Sequence, residues 1–201
     1  MNYDDILTLA KQYAVPIVRT KSHSILENLI KKNNPKCILE IGTAIGYSGI
    51  IMLKSSSAKL VTIEHNKNYV KLAKSNFKKF KVNKRVKILF GDCHVKIAEM
   101  VADNKYKDYF DFIFLDGPKA QYSLLLENLI YLLKPNGTLV VDNVLFRGYT
   151  TNEQIAPTKR FKTIIKRLND FIDMCKNHKE LYDIKLIDTE DGILYAKKIS
   201  K

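Results

Sequence analysis

Residues 37–52, CILEIGTAIGYSGIIM, constrain this chain more than any other stretch. Cys37–Ile41 is an apolar run of the length and kind a buried strand takes. The small-residue loop Gly42-Thr43-Ala44-Ile45-Gly46 follows, and a helical pattern opens at Tyr47-Ser48. Strand, glycine turn and helix start, in that order, are how α/β folds place a ligand at the carboxyl edge of a sheet. The glycines let the backbone approach a ligand that side chains would block, and free N–H groups at a helix start attract anions. Thr43-Ala44 stand where a dinucleotide fingerprint has its second glycine, so a ligand without a pyrophosphate fits better.

The rest of the chain repeats the alternation. Helices are expected over residues 2–14 and from Ser22 or Ser24 to about residue 31, ahead of the first strand. Further strands are expected at 59–63, 86–90, 109–115 and 138–141, separated by helical patterns at 68–80, 95–102 and 123–133. Pro135-Asn136-Gly137 is a strong turn signal. A long helix over 158–176 precedes two strand patterns, 181–187 and 192–199, which read as a terminal antiparallel hairpin joined by Asp188-Thr189-Glu190-Asp191. This pattern predicts a doubly wound α/β fold, mostly parallel with a C-terminal antiparallel hairpin. The expected organisation is one domain, with residues 1–35 as a helical cover and 36–201 as the α/β core.

Composition excludes some classes. No apolar run approaches the ~18 residues of a membrane span, and early acids at Asp4 and Asp5 argue against a secretory leader. Cys37, Cys93 and Cys175 are scattered without metal spacing and read as reduced thiols of a cytoplasmic protein. The net charge of +13 invites a polyanion, nucleic acid first. The competing explanation is lysine enrichment spread along the chain.

Three oxygen-bearing side chains, Asp116, Asp142 and Asn143, fall just past the ends of two expected strands, where open α/β sheets bind ligands. Two carboxylates and an amide oxygen suit a hard divalent ion such as Mg²⁺. Lys119, three residues after Asp116, is placed to act as general base or as a positive charge beside a developing oxyanion. Glu64 ends the second strand about 20 residues beyond the glycine loop, where a carboxylate accepts ribose hydroxyls. Asp92, after the third strand, suits either a cofactor contact or a helix cap. His65 is expected to be exposed beside the site.

The Glu40-x-Gly42-x-x-x-Gly46 loop resembles the first motif of S-adenosylmethionine (SAM)-dependent methyltransferases. Asp116-x-x-Lys119-x-x-Tyr122, followed by a strand and Asp142-Asn143, is similar to the metal-dependent O-methyltransferases of the catechol and caffeoyl-CoA type. The resemblance implies a Rossmann-like sheet of seven strands and runs from about Val15 to the final hairpin. It implies SAM contacts from Gly42 and Ser48 to the methionine part, Glu64 to the ribose and Asp92 near the adenine, with Glu40, Thr43, Gly46, Cys93 and Asp116 completing the set. It also implies that Asp116, Asp142 and Asn143 hold Mg²⁺ (or Mn²⁺), that Lys119 and Asp116 are catalytic, and that the protein is a homodimer.

A closer resemblance is to the bacterial branch that methylates 5-hydroxyuridine at the wobble position of tRNA. It is carried by Val15-Pro16-Ile17, by residues 41–48, and by Asp142-Asn143-Val144-Leu145-Phe146-Arg147-Gly148. The absence of tryptophan puts a catechol substrate in doubt. The tRNA anticodon loop is thus the expected partner, with Arg147, Lys159 and Arg160 as candidate RNA contacts and Tyr149 or Phe146 as a base-stacking aromatic. Two alternatives stand beside it: a small-molecule catechol-type O-methyltransferase, and a non-catalytic RNA-binding protein on the same fold.

Overall fold

The computed structural model describes residues 3–13, 15, 20–145, 158–189 and 191–200, leaving aside the side chains of residues 20, 21, 159 and 160. The chain divides into two compact units, residues 1–96 and 97–201, with the division inside a helix.

In the first unit, β1 (Cys37–Ile41) pairs in parallel with β2 (Lys59–Glu64), which pairs in parallel with β3 (Val86–Phe90). β1 buries Ile38, Leu39 and Ile41 completely or nearly so, as a strand covered on both faces must. Parallel neighbours need crossovers, and α3 (Tyr47–Lys54) and α4 (Lys67–Lys79) supply them. α3 is almost wholly buried and packs on β2, while α4 buries only Val70, Ala73, Asn76 and Phe77 against β2 and β3. Arg85, in the short 3₁₀ turn Asn83–Arg85, donates to the carbonyls of Leu53, Ser56 and Ala58 at 2.6–3.0 Å and so closes the end of α3. Ahead of the strands, α1 (Tyr3–Gln12) starts on Asp4 and Asp5, acids that favour a helix N-terminus, and buries Ile6 and Ala10. α2 (Thr20–Asn33) packs on α3 and buries Leu26 and Ile30.

α5 (Cys93–Ala102) carries the boundary. It starts two residues earlier than the sequence pattern suggests, because Asp92 Oδ1 accepts the N–H groups of His94 and Val95 and caps the helix there. In the second unit β4 (Phe110–Leu115) runs parallel to β5 (Leu133–Asp142), with α6 (Tyr122–Leu132) as the crossover. β5 pairs antiparallel with β7 (Ile193–Lys198), and β7 with the edge strand β6 (Leu181–Ile187). α7 (Lys159–Asn177) buries Leu168, Phe171, Ile172 and Cys175, an i, i+3, i+4, i+7 stripe. Burial pushes the Cys175 thiol up to about 12, so it is an inert core group. The architecture is therefore α/β and Rossmann-like, with seven strands, mostly parallel and closed by antiparallel C-terminal strands.

Pro135-Asn136-Gly137 departs from expectation. It does not separate helix from strand but lies within β5, as an outward loop in the ladder. The register jumps from Phe110 opposite Leu133 to Phe112 opposite Thr138, and Asn136 takes a left-handed φ of 62°. The turn chemistry is genuine, but backbone pairing resumes on both sides of it, so α6 runs directly into the strand.

Lys198 is a buried cation that needs no ligand. Its ammonium donates to Asp108 Oδ1 and to the carbonyls of Ile130 and Leu133 at 2.7–2.8 Å, which uses all three protons.

Candidate functional site

The first unit carries the glycine loop. Gly42 and Gly46 take φ of 100° and 86°, and Ala44 between them is also left-handed at 45°. A Cβ on Gly46 would stand 3.0 Å from the Phe77 ring, so the position is closed to a side chain on two counts. Gly42 and Thr43 both donate to the Ile63 carbonyl, which anchors the start of the loop to the end of β2.

Beneath the loop lies a buried polar chain. Glu40 is fully buried, and its two carboxylate oxygens accept from Ser48 Oγ at 2.5 Å and Thr62 Oγ1 at 2.6 Å. Thr62 has spent its proton on Glu40, so the 2.6 Å contact between Thr43 and Thr62 is a donation from Thr43. These side chains were expected to meet the cofactor. In this structure Glu40 and Thr43 are buried and brace the loop through these hydrogen bonds, and Ser48 Oγ serves the same network. Burying a carboxylate costs so much that it must take donors wherever the fold supplies them, and here two hydroxyls do.

Glu64 sits where β2 ends. Its Oε2 accepts from the Ala44 N–H at 2.9 Å and its Oε1 from the Asn66 N–H at 2.8 Å. Each carboxylate oxygen has capacity for a second donor, which leaves places for two hydroxyls. His65 is 82% exposed and lies 3.3 Å from Glu64 Oε1. Asp92 is an exposed cap and Cys93 opens α5, its thiol pushed up by burial and then by the Asp92 charge. α1 and α2 reach the same end of the unit: His23 Nδ1 lies 2.8 Å from the Tyr47 hydroxyl, and the Tyr3 ring packs edge-on against both rings. Replacement of Glu64 by Gln should weaken SAM binding about ten- to a hundredfold, the loss of charge-assisted hydrogen bonds. Isothermal titration calorimetry measures this, and an unchanged affinity would remove Glu64 from the cofactor site.

The second unit carries the acids. Asp116 follows β4, Asp142 is the last residue of β5, and Asn143 comes next with a left-handed φ of 62°. Asp142 Oδ1 accepts the Asn143 N–H at 2.9 Å. Burial and the neighbouring Asp116 charge push the Asp142 carboxyl up to about 7, and burial likewise raises Asp116. Lys119 opens the 3₁₀ turn Lys119–Gln121, close enough for its charge to act against both shifts. The fold thus brings Asp116, Lys119 and Asp142 together.

Two further groups belong to this cluster. Asp191, from the β6–β7 link, is buried and its charge raises both Asp116 and Asp142. Its carbonyl accepts from Leu145 N–H, and Gly192 accepts from Val144 N–H, so the link holds the segment after Asn143. Four polar residues stand in that link, and nothing in their order tells which turns inward. Tyr122, wholly buried, places its hydroxyl 3.3 Å from both the Gly117 and Asp142 carbonyls, tying the Asp116 loop to the end of β5. It is the last residue of the Asp116–Lys119–Tyr122 motif, but only the fold shows what it holds.

Among the described residues no three His, Cys, Asp or Glu side chains gather closely enough to hold a metal by themselves. Asp116 and Asp142 are two crowded carboxylates raised by burial, which a hard divalent cation relieves, and Asn143, next in the chain, carries an amide oxygen of the kind such an ion accepts. The residues fit such an ion. A cleft of about 400 Å³ lined by Lys107, Asp108, Glu127 and Tyr131 shares no residue with either cluster. Arg147, Phe146 and Tyr149 lie outside the described residues, as do the side chains of Lys159 and Arg160 and the Pro16-Ile17 part of the N-terminal motif.

A glycine loop braced from below, an acid at the end of the second strand and paired acids at the ends of the fourth and fifth define a class, the SAM-dependent O-methyltransferases. The sequence profile of the O-methyltransferase family matches residues 6–199, and the chain belongs to that family. It is similar to the caffeoyl-CoA O-methyltransferase of Medicago sativa, at 28% identity over 87% of this chain and 71% of that protein. A Staphylococcus aureus structure, provisionally named a caffeoyl-CoA O-methyltransferase, is 29% identical with a TM-score of 0.86, covering 98% of this chain and 92% of that one. The O-methyltransferase TomG of Streptomyces achromogenes, solved with SAM, shares the fold at 23% identity and a TM-score of 0.85, covering 98% and 89%. The chain is a SAM-dependent O-methyltransferase of the caffeoyl-CoA type. Among the described residues no helix is long and apolar enough to cross a membrane.

Proposed function

We propose that this enzyme methylates 5-hydroxyuridine at the wobble position of tRNA, giving 5-methoxyuridine, with Mg²⁺ or Mn²⁺ held by Asp116, Asp142 and Asn143. One observation carries the choice of a polyanionic substrate. α7 packs against the turn that bears Lys119, and Arg167 donates to the Ala120 carbonyl at 3.4 Å. Lys162 and Arg167 are exposed on the helix that borders the acid cluster, with Lys166 beside them paired to Asp170. A small phenol has no use for such a border, whereas an RNA held by its phosphates does. Arg147, Lys159 and Arg160 extend the same basic run in sequence.

A divalent ion in this set would lower the pKa of the substrate hydroxyl and fix its oxygen. Asp116 and Asp142 supply the negative charge that keeps such an ion, and Asn143 a neutral oxygen. Lys119 takes the hydroxyl proton or steadies the oxyanion. The substrate oxygen then bonds to the SAM methyl carbon as the carbon–sulfur bond breaks, its electron pair passing to sulfur. The leaving group is a neutral thioether, so no general acid is required. Glu64 and the loop backbone orient the cofactor. The reading includes a cytoplasmic homodimer.

The second reading, a diffusible phenol, is favoured by the caffeoyl-CoA name of the curated relatives. Nucleoside mass spectrometry decides between them. Purified protein, SAM and Mg²⁺ are added to tRNA carrying 5-hydroxyuridine, with EDTA and Asp142→Ala as controls. Conversion to 5-methoxyuridine that is lost in both controls is expected. No conversion, with methylation of a catechol under the same conditions, would overturn the tRNA substrate and keep the chemistry.

A further inference from the structure

A dense run of positive charge lies on α4, in the first unit. From His65 to Gly91 the chain contains no Asp or Glu. Within it, α4 carries Lys67, Lys71, Lys74 and Lys78 at i, i+4, i+7 and i+11, which falls on one stripe of a helix. All four are exposed, on a stripe that flanks the face burying Val70, Ala73 and Phe77. The stripe is about 16 Å long at 1.5 Å per residue. Lys81 and Lys84 in the following turn, and Lys87 on the edge strand β3, continue the exposed charge.

Four exposed lysines elsewhere are neutralised by a nearby acid, in Lys31–Glu27, Lys105–Asp103, Lys166–Asp170 and Lys185–Asp183. No acid stands within α4 to do the same. Like charges at i, i+3 and i+4 oppose the helix that carries them, so the stripe works against the local fold. Asn66 offsets this at the start, its Oδ1 accepting the N–H groups of Asn68 and Tyr69.

We infer that this stripe is a phosphate-binding surface for RNA, holding the body of the substrate nucleic acid while another part of it is modified. The inference rests on the tRNA reading above. The spacing suits a phosphate backbone, since several phosphates, about 3.4 Å of axis apart on one strand of a duplex, fall within its length. A lipid surface fits less well: binding in a bilayer interface needs a broad apolar flank beside the charge, whereas none of the exposed large apolar side chains lies on α4 and β3 adds the single ring of Phe90. Lysine, a flexible point charge, suits phosphate contact without base readout, so the surface gives affinity and not sequence choice.

The test uses the full chain with Lys71, Lys74 and Lys78 all changed to Gln, a residue of similar helix propensity, and a matching Lys→Arg triple. Fluorescence anisotropy reads binding of tRNA carrying 5-hydroxyuridine across a salt series. The Gln triple should bind on the order of a hundredfold more weakly near 0.1 M salt, and the log–log salt slope should fall by about two to three. At saturating tRNA its kcat and its SAM affinity should match wild type, its melting temperature should equal or slightly exceed wild type, and the Arg triple should bind normally. Wild-type affinity and slope in the Gln triple, while the wild type still methylates tRNA, would overturn the surface and leave the substrate standing. A wild type that neither binds nor methylates tRNA would overturn both. Loss of binding to phosphatidylserine vesicles in the Gln triple, without any tRNA binding by the wild type, would assign the stripe to a membrane and overturn the RNA assignment.

Discussion

Asp142→Asn protein is expected to melt at a higher temperature than the wild type when both are kept free of metal at pH 8, and to lose at least about a hundredfold in methyl transfer when both are assayed with Mg²⁺. Burial and the Asp116 charge put the folded-state pKa of Asp142 near 7, against an ordinary 3.8. Between those values the folded protein keeps a proton that the unfolded chain has released, so stability falls as pH rises from about 4 to about 7 and stays lowered above. A shift of that size corresponds to a few kcal/mol, as an order of magnitude. Asparagine removes the ionisation but keeps an oxygen for the Asn143 N–H. Thermal melts from pH 4 to 8 in EDTA measure the effect. Added Mg²⁺ should raise the wild-type melting temperature at pH 8 and leave that of Asp142→Asn unmoved. A variant no more stable than wild type across that range would show that the two acids are not in conflict, and the case for a cation between them would fail.

Lys119→Met should cost kcat about 10²- to 10⁴-fold, the range of a lost general base. Its affinity for Mn²⁺, read by electron paramagnetic resonance, should hold or tighten, because Lys119 sets a positive charge beside Asp116 and Asp142. SAM affinity should not change. A kcat within about threefold of wild type would take Lys119 out of the chemistry, and a collapse of metal affinity would make it a structural group.

Much of this was legible in the chain because it depends on neighbours in sequence. A strand that ends in Gly42 and restarts as a helix at Tyr47 announces a ligand loop, and acids at strand ends announce a site, since strand ends converge in any parallel sheet. The α/β order, the final hairpin and the positions of Asp116, Lys119, Asp142 and Asn143 all follow from such local rules. So does Asp92 as a helix cap.

Other features needed the folded chain, because they depend on which side chain meets which across distant segments. Glu40 belongs to a motif that reads as a ligand contact, but its environment is decided by Ser48 and by Thr62 on the neighbouring strand, and together they hold it under the loop. Pro135-Asn136-Gly137 turns as its residues require, yet pairing between β4 and β5 continues around it. Asp191 is one polar residue among four in a hairpin link until the clip to Val144 and Leu145 holds that link beside the segment after Asn143. The sequence by itself determined the order of elements and the chemical kind of the site, because hydrophobic period and turn residues act over a few positions. Only the tertiary structure decided which acids are crowded and which are sealed away, because burial and charge act through space.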